Sequence, residues 1–303
     1  MALAGGTDLI PNMKQGLLEP SVVVSLGAID ALCGIVDGVG GSLEIGAMAS
    51  LDEFADDERV RKQASALAQA AGLVASPHHR RMGTIGGNIM LDTRCRLYNQ
   101  SCFWRSALWF CLKRDGTICH VVAGGKKCVA AASNDTVPPL MTLGASLGFD
   151  GTLGKHELPI DEFWTADGTW NKRVLKRDLP VSMTIPPTRA GHRSAYEKLR
   201  IRGSIDFPLL GVAARVDLGD RGEIVGADLV LGALQAKPIR MDAAADNSRG
   251  ERLTAGIELE RAVEKVAASA MRRCKPLADI PGDADYRRAM VPVYVRRALM
   301  APR

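Results

Sequence analysis

Near the start of the chain, short apolar runs alternate with glycine turns. The runs at 22–26, 34–36 and 42–46 read as short strands. Ser50 to Glu53 follow as a capping-box pattern, in which the serine hydroxyl and the glutamate side chain can satisfy free amides at a helix start. The alanine- and leucine-rich stretch from about 60 to 74 predicts a helix. Strands alternating with helices point to an α+β or α/β first unit.

Residues 91–128 break the rhythm. They are rich in cysteine, aromatic and basic side chains, keep no sustained period, and read as an inserted loop. The proline pair after Ile185 marks a domain boundary. Beyond it, 212–218 and 223–234 flank Gly219-Asp220-Arg221-Gly222, the pattern of an antiparallel hairpin with a tight turn. A helix fits 259–273, where Ala262, Val263, Val266, Ala267, Ala270 and Met271 share one face. A last helix fits 286–299, with a kink or break expected at Pro292.

Composition narrows the function classes. The 303 residues are 47% hydrophobic and 24% charged, enough apolar surface for two modest cores. A formal charge of +5 without a basic, aromatic-laced stripe argues against nucleic acid as a partner. No run approaches the roughly 18 apolar residues of a membrane span, and the start lacks the regions of a signal peptide, so no membrane partner and a cytoplasmic location are expected. Five of the seven cysteines (Cys95, Cys102, Cys111, Cys119, Cys128) crowd one segment, which in a reducing compartment favours metal binding over disulfides.

Two glycine loops carry the candidate anion chemistry. Ala4-Gly5-Gly6-Thr7-Asp8 follows an apolar start, and Thr84-Ile85-Gly86-Gly87-Asn88 repeats its character. Glycines let successive amides turn toward an anion with no Cβ in the way, so two such loops suit a pyrophosphate held from both sides. Neither is a Walker loop or GxGxxG, and a Gly-Gly-Thr turn alone is usually only a turn.

The order LAGGTDL, TIGGN, then Ser133-Asn134-Asp135, then Lys198 to Arg202 with Asp206, resembles the FAD-binding subunits of the xanthine dehydrogenase and carbon monoxide dehydrogenase family over nearly the whole chain. The resemblance implies an α+β fold: a PCMH-like FAD-binding domain of the carbon monoxide dehydrogenase flavoprotein type over 1–187, then a C-terminal domain over 188–303 built of an antiparallel three-stranded sheet and helices. It implies that Ala4 to Asp8 and Thr84 to Asn88 hold the FAD pyrophosphate, that Asp135 sits by the ribityl or sugar hydroxyls, and that Lys198 lies near the isoalloxazine ring. An ammonium there would stabilise the negative charge of a reduced flavin. Asp206 could equally be a structural cap. Family members usually carry a further strand and helix ahead of the first loop, so the first sheet is expected to lack a strand here.

The cysteine spacing contains no CxxC and so matches neither zinc-ribbon nor common ferredoxin templates. With its flanking strings Asp92 to Arg96 and Lys127 to Asp135, the segment at about 91–130 is similar to the insertion peculiar to the flavin subunit of 4-hydroxybenzoyl-CoA reductase. That implies a [4Fe-4S] cluster on Cys95, Cys111, Cys119 and Cys128, with Cys102 spare and Cys33 and Cys274 structural. Tyr98, Phe103, Trp104, Trp109 and Phe110 would wall the cluster from water. Arg94, Arg96, Arg105, Lys113, Arg114, Lys126 and Lys127 would make a basic rim that steers an acidic carrier. His120, His78 and His79 are expected to be hydrogen-bonded or solvent-facing.

By the resemblance this is an electron-transfer subunit with no catalytic residue of its own. Its partners would be a molybdopterin-binding large subunit, a [2Fe-2S] small subunit and ferredoxin as electron donor, for reductive dehydroxylation of 4-hydroxybenzoyl-CoA or a similar aromatic thioester. The alternatives are a xanthine- or aldehyde-type complex delivering electrons to NAD or oxygen, and a non-catalytic metal-stabilised assembly module.

Overall fold

The computed structural model describes residues 1–152, 154–242, 250 and 257–301. The chain opens with β1 (Ala2–Leu3), α1 (Leu9–Lys14) and β2 (Val24–Ser25). β1 and β2 pair in parallel as a two-stranded sheet of their own. Next come β3 (Ile35–Asp37), β4 (Leu43–Gly46), α2 (Leu51–Asp56), α3 (Glu58–Gln63), α4 (Ser65–Gly72), α5 (Pro77–Met82) and α6 (Ile85–Ile89). The capping box forms as expected at its serine: Ser50 Oγ accepts the Glu53 amide at 3.1 Å.

The helix expected over 60–74 is broken in two. The Asp57 carboxylate accepts the Arg59 and Val60 amides at 2.9 and 3.2 Å and starts α3 early. Ala64 then leaves helical geometry (φ −143°), and the Ser65 hydroxyl ties the start of α4 to the Ser194 carbonyl at 2.8 Å. A tertiary contact has outweighed local helix propensity.

The insertion holds one short helix, α7 (Cys102–Ala107), in otherwise irregular chain. After it come α8 (Val137–Thr142), β5 (Ser146–Gly151), β6 (Gly154–Pro159) and β7 (Leu179–Ile185). β3, β4, β7, β5 and β6 lie in that order in an antiparallel five-stranded sheet. Its core packs Leu43, Ile45, Leu147, Phe149, Met183 and Ile185 against Phe54 and Leu67 of the helices.

The second half contains β8 (His192–Leu199), β9 (Leu210–Leu218), β10 (Ile224–Gly232), β11 (Ile239–Arg240), α9 (Ile257–Arg273) and α10 (Ala284–Met300). The predicted hairpin is present, closed by Gly219 N–H to Glu223 O at 2.8 Å. The expectation of three strands is corrected to four among the described residues, ordered β11-β10-β9-β8. β11 is two residues long, too short to leave a period in the sequence. The break expected at Pro292 does not occur: α10 runs through it. Val291, Tyr294, Val295 and Ala298 are buried around it, and that packing offsets the lost hydrogen bond, a cost of about 3 kcal/mol. Met271, assigned to the buried face of α9, is 38% exposed.

The second sheet is covered on both sides, which explains the unbroken apolar run of β10. Leu229 and Leu231 face the core under α9 and α10, while Val230 points the other way into the first core. Likewise Val212, Ala214 and Val216 face inward and Ala213 meets α4 beside Tyr196. Among the described residues no helix is long and apolar enough to cross a membrane.

Candidate functional site

The two glycine loops touch. An added Cβ on Gly5 would lie 1.7 Å from the Met82 carbonyl oxygen and 3.0 Å from the Gly83 Cα, so only glycine lets the first loop settle against the second. Gly6 turns back with φ +73°, and no acceptor among the described residues takes the amides of Gly5, Gly6 or Thr7. Three unspent amides around a left-handed residue form the kind of nest that binds an anion, so these residues fit a diphosphate group. In the second loop, Thr84 caps α6 through Oγ1, which accepts the Gly87 amide at 3.0 Å, and Ile85 and Gly86 are buried against Ala49 and Ala47. Asn88 is committed to its neighbours, its Oδ1 accepting from the Thr136 amide (3.2 Å) and hydroxyl (2.7 Å).

That contact brings in Asp135. Strand β8 presents Ser194, Tyr196 and Lys198 at a spacing of two along α4, so all three face the first domain. Lys198 Nζ donates to Asp135 Oδ2 at 2.9 Å and to the Leu73 carbonyl at 3.0 Å; the Tyr196 hydroxyl donates to Asp135 Oδ1 at 2.8 Å. Asp135 and Lys198, expected at different parts of the flavin, are brought together as a buried ion pair, in which Lys198 is committed to protein acceptors. Burial holds the Asp135 carboxyl above its usual range although Lys198 pulls it down. Tyr196 was not singled out from sequence, though its place two residues before Lys198 on a strand was the available signal. Asp206 is the half-buried partner of the exposed Arg202, away from these contacts.

Asp8 joins the first loop to the cysteine insertion. Its Oδ2 accepts from Asn12 Nδ2 at 3.0 Å and its Oδ1 from Arg94 Nη1 at 2.8 Å; the Arg94 guanidinium lies 4.3 Å over the Phe207 ring. Burial raises the Asp8 carboxyl, against the pull of Arg94. Arg94 in turn closes the neck of the insertion, exchanging both backbone hydrogen bonds with Ala131 at 2.8 Å. The next residue is Cys95.

Cys95, Cys111, Cys119 and Cys128 line one partly open cavity, together with Leu97, Tyr98 and Lys113. All seven cysteines of the chain are free thiols. Burial pushes Cys95 up to about 11, and Cys128 is raised by burial and by the nearby Cys111 and Cys119. Among the described residues no group of three or more His, Cys, Asp or Glu is gathered closely enough to hold a single metal ion. Of the three cysteines expected to be spare or structural, Cys102 and Cys33 are exposed and Cys274 is buried. His120 is near the cavity but its Nε2 pairs with the Phe110 carbonyl at 2.6 Å, and His79 Nδ1 pairs with Ser76.

Two expectations about the insertion are corrected. Only Tyr98 of the five aromatics is buried; Phe103 and Trp109 are 85% and 86% exposed. They sit on α7 and just after it, where the short helix turns its apolar side to solvent. The basic rim is thinner than the sequence implies, because Arg105 and Lys113 are buried, Arg105 donating to the Gly16 carbonyl at 3.2 Å.

Comparison with known proteins agrees with this architecture. Residues 1–188 match the FAD binding domain in molybdopterin dehydrogenase, and residues 194–301 the carbon monoxide dehydrogenase flavoprotein C-terminal domain. The chain is 28% identical to the carbon monoxide dehydrogenase medium chain of Hydrogenophaga pseudoflava, over 99% of this chain and 88% of that one. It is 30% identical to the FAD-binding subunit of an Escherichia coli (strain K12) aldehyde oxidoreductase, over 80% and 77%. The solved Hydrogenophaga carbon monoxide dehydrogenase superposes with a TM-score of 0.78 at 26% identity, covering 100% of this chain and 88% of that one. With both domains matched in sequence order, the chain belongs to the family of FAD-binding medium subunits of molybdenum-containing hydroxylases.

Proposed function

We propose that this chain is an electron-transfer subunit carrying FAD and a [4Fe-4S] core, passing electrons from ferredoxin toward a [2Fe-2S] small subunit and a molybdopterin large subunit for reductive dehydroxylation of 4-hydroxybenzoyl-CoA or a similar aromatic CoA thioester. One observation carries the iron–sulfur part: four cysteines widely spaced in sequence border a single cavity. A tetrahedral zinc ion holds thiolates at about 2.3 Å and so draws them to within about 4 Å of one another. The cysteines here share one cavity wall without being gathered on a single point, which favours a multi-iron core over one zinc ion.

When bound, FAD exchanges electrons singly or in pairs, and a four-iron core exchanges them singly. The chain's own residues supply the rest. Gly5, Gly6 and Thr7 would hold a diphosphate through free amides, with Ala4 and the second loop, Thr84 to Asn88, shaping the other wall. Asp8 and Arg94 fix the distance between that nest and Cys95. Asp135 and Lys198 lock the two domains that border the site. Because Cys95 and Cys128 hold their protons tightly, loading the cavity releases protons, and it is favoured as pH rises.

The relatives favour a second reading for the substrate, a carbon monoxide, aldehyde or xanthine dehydrogenase; on that reading the flavin would deliver electrons to NAD or oxygen. Iron, acid-labile sulfide and FAD analysis of anaerobically purified protein separates the readings. Four irons per FAD, lost in Cys128→Ser and kept in Cys102→Ser, is the expected result. An iron-free yellow protein sinks the iron–sulfur reading and leaves the second, whereas a colourless zinc-loaded one sinks both.

A further inference from the structure

Lys113 lies in the return of the chain between Cys111 and Cys119. That return is closed by Leu112 N–H to Ile118 O at 2.8 Å and by Arg114 N–H to Cys111 O at 2.9 Å, and it turns the lysine inward. Its side chain is only 3% exposed. An ammonium has three N–H donors, and all three are matched: Asp92 Oδ1 at 2.9 Å, Thr93 Oγ1 at 2.6 Å and the Gly168 carbonyl at 2.8 Å. The Tyr98 ring lies 5.1 Å away. Lys113 and Tyr98 line the same cavity as the four cysteines.

A buried lysine without matched partners costs several kcal/mol, so a fully bonded one at this position is a held charge and not a stray side chain. Its counter-ion, Asp92, is 42% exposed, so water screens the carboxylate more than the ammonium. On the Cys95 side lies the Arg287–Asp279 pair, fully buried at 3.5 Å, whose carboxylate raises the Cys95 thiol and so works against the ammonium from the opposite side. Lys172 is close by, tied to the Leu91 carbonyl and Asn171 Oδ1. The cavity thus has a fixed cation on its wall.

We propose that Lys113 sets the reduction potential of the iron–sulfur core held by the four cysteines, its ammonium favouring the reduced, more negative form. The inference rests on the four-cysteine reading above and makes Lys113 a positioning residue that acts through its field. Cluster potentials follow net charge and hydrogen bonding around the sulfurs, and a charge beside the core counts for more the less water and counter-charge screen it.

The test is an EPR-monitored redox titration of the purified complex with Lys113→Met and Asp92→Asn, each checked for iron and FAD content. Lys113→Met is expected to move the cluster to lower potential. Asp92→Asn removes the screening carboxylate and is expected to move it to higher potential; a purely structural role would not produce opposite shifts. Unmoved potentials, or shifts of the same sign, with iron content intact overturn the proposal. Should Lys113→Met lose iron, Asp92→Asn decides alone. Absence of four iron atoms from the wild type would sink the four-cysteine reading itself, a different failure from a loaded core whose potential ignores Lys113.

Discussion

Around the glycine loops the chain is positioned by backbone: Ile85 and Gly86 donate amides to Ala49 and Ala47 beside β4, and Gly5 rests on the Met82–Gly83 peptide. Around the four cysteines it is positioned by side chains reaching inward and back: Lys113 to Thr93 and Gly168, Arg105 to Gly16, and Asn99 to the Cys95 amide. Trp109 and Phe110 are both left-handed at φ +58° and +57°, a strain of about 1–3 kcal/mol each for residues other than glycine. A region built on strands and helix ends can stay formed without its ligand. A region built on a few long side chains and strained turns depends on whatever it encloses, so, on the four-cysteine reading proposed above, FAD and iron are expected to be lost separately.

The largest expected effect that sharpens this contrast is at Lys198. Lys198→Met leaves Asp135 buried beside Tyr196 and removes a donor from the Leu73 carbonyl, a loss of about 3–5 kcal/mol by denaturant titration at pH 8. Asp135 is already raised by burial, and removing the cation raises it further. A carboxyl whose folded value lies above its unfolded one stabilises the fold below the unfolded value and loses that contribution as pH rises. The penalty is therefore smaller at pH 5 than at pH 8. FAD retention should suffer while iron content holds; simultaneous loss of iron would mean that the two regions unfold as one.

Gly5→Ala comes next. Its Cβ meets backbone, not a movable side chain, so the loops must part at a cost of about 1–3 kcal/mol. FAD content measured after gel filtration should fall with iron unchanged. If FAD binds as in the wild type, the contact between the loops is not what shapes the nest.

How much of this was legible differs between the same two regions. The glycine loops announce themselves, since Gly5 and Gly6 stand where the backbone must approach closely or turn left-handed. Strands β4, β9 and β10 and helix α9 follow from period and turn residues, and they appear close to where the sequence puts them. The insertion has no period to read. Its cysteines could be counted, but that Lys113 turns in while Phe103 and Trp109 turn out depends on which side chains find partners across the chain, at Gly168 and Gly16. The break at Ala64 was hidden for the same reason: Ser194, which holds the start of α4, is far away in sequence.

The smallest effect is expected where the two regions meet. Arg94 is the side chain that touches the first glycine loop through Asp8, while its backbone closes the insertion at Ala131. The Asp8 pair is partly exposed, with side chains 20% and 31% accessible, so Arg94→Ala should cost only about 0.5–1 kcal/mol, including the contact over Phe207. Burial already raises the Asp8 carboxyl and Arg94 opposes that, so the variant's deficit should shrink as pH falls and Asp8 takes up its proton. The informative quantity is coupling. With Arg94 in place, occupancy of the nest and order at Cys95 share one salt bridge, and FAD affinity should differ between the cluster-loaded protein and Cys128→Ser. In the Arg94→Ala background that difference should vanish while both cofactors still bind. A difference that survives the substitution would mean that the regions communicate through the Arg94–Ala131 backbone bridge, which the alanine leaves intact.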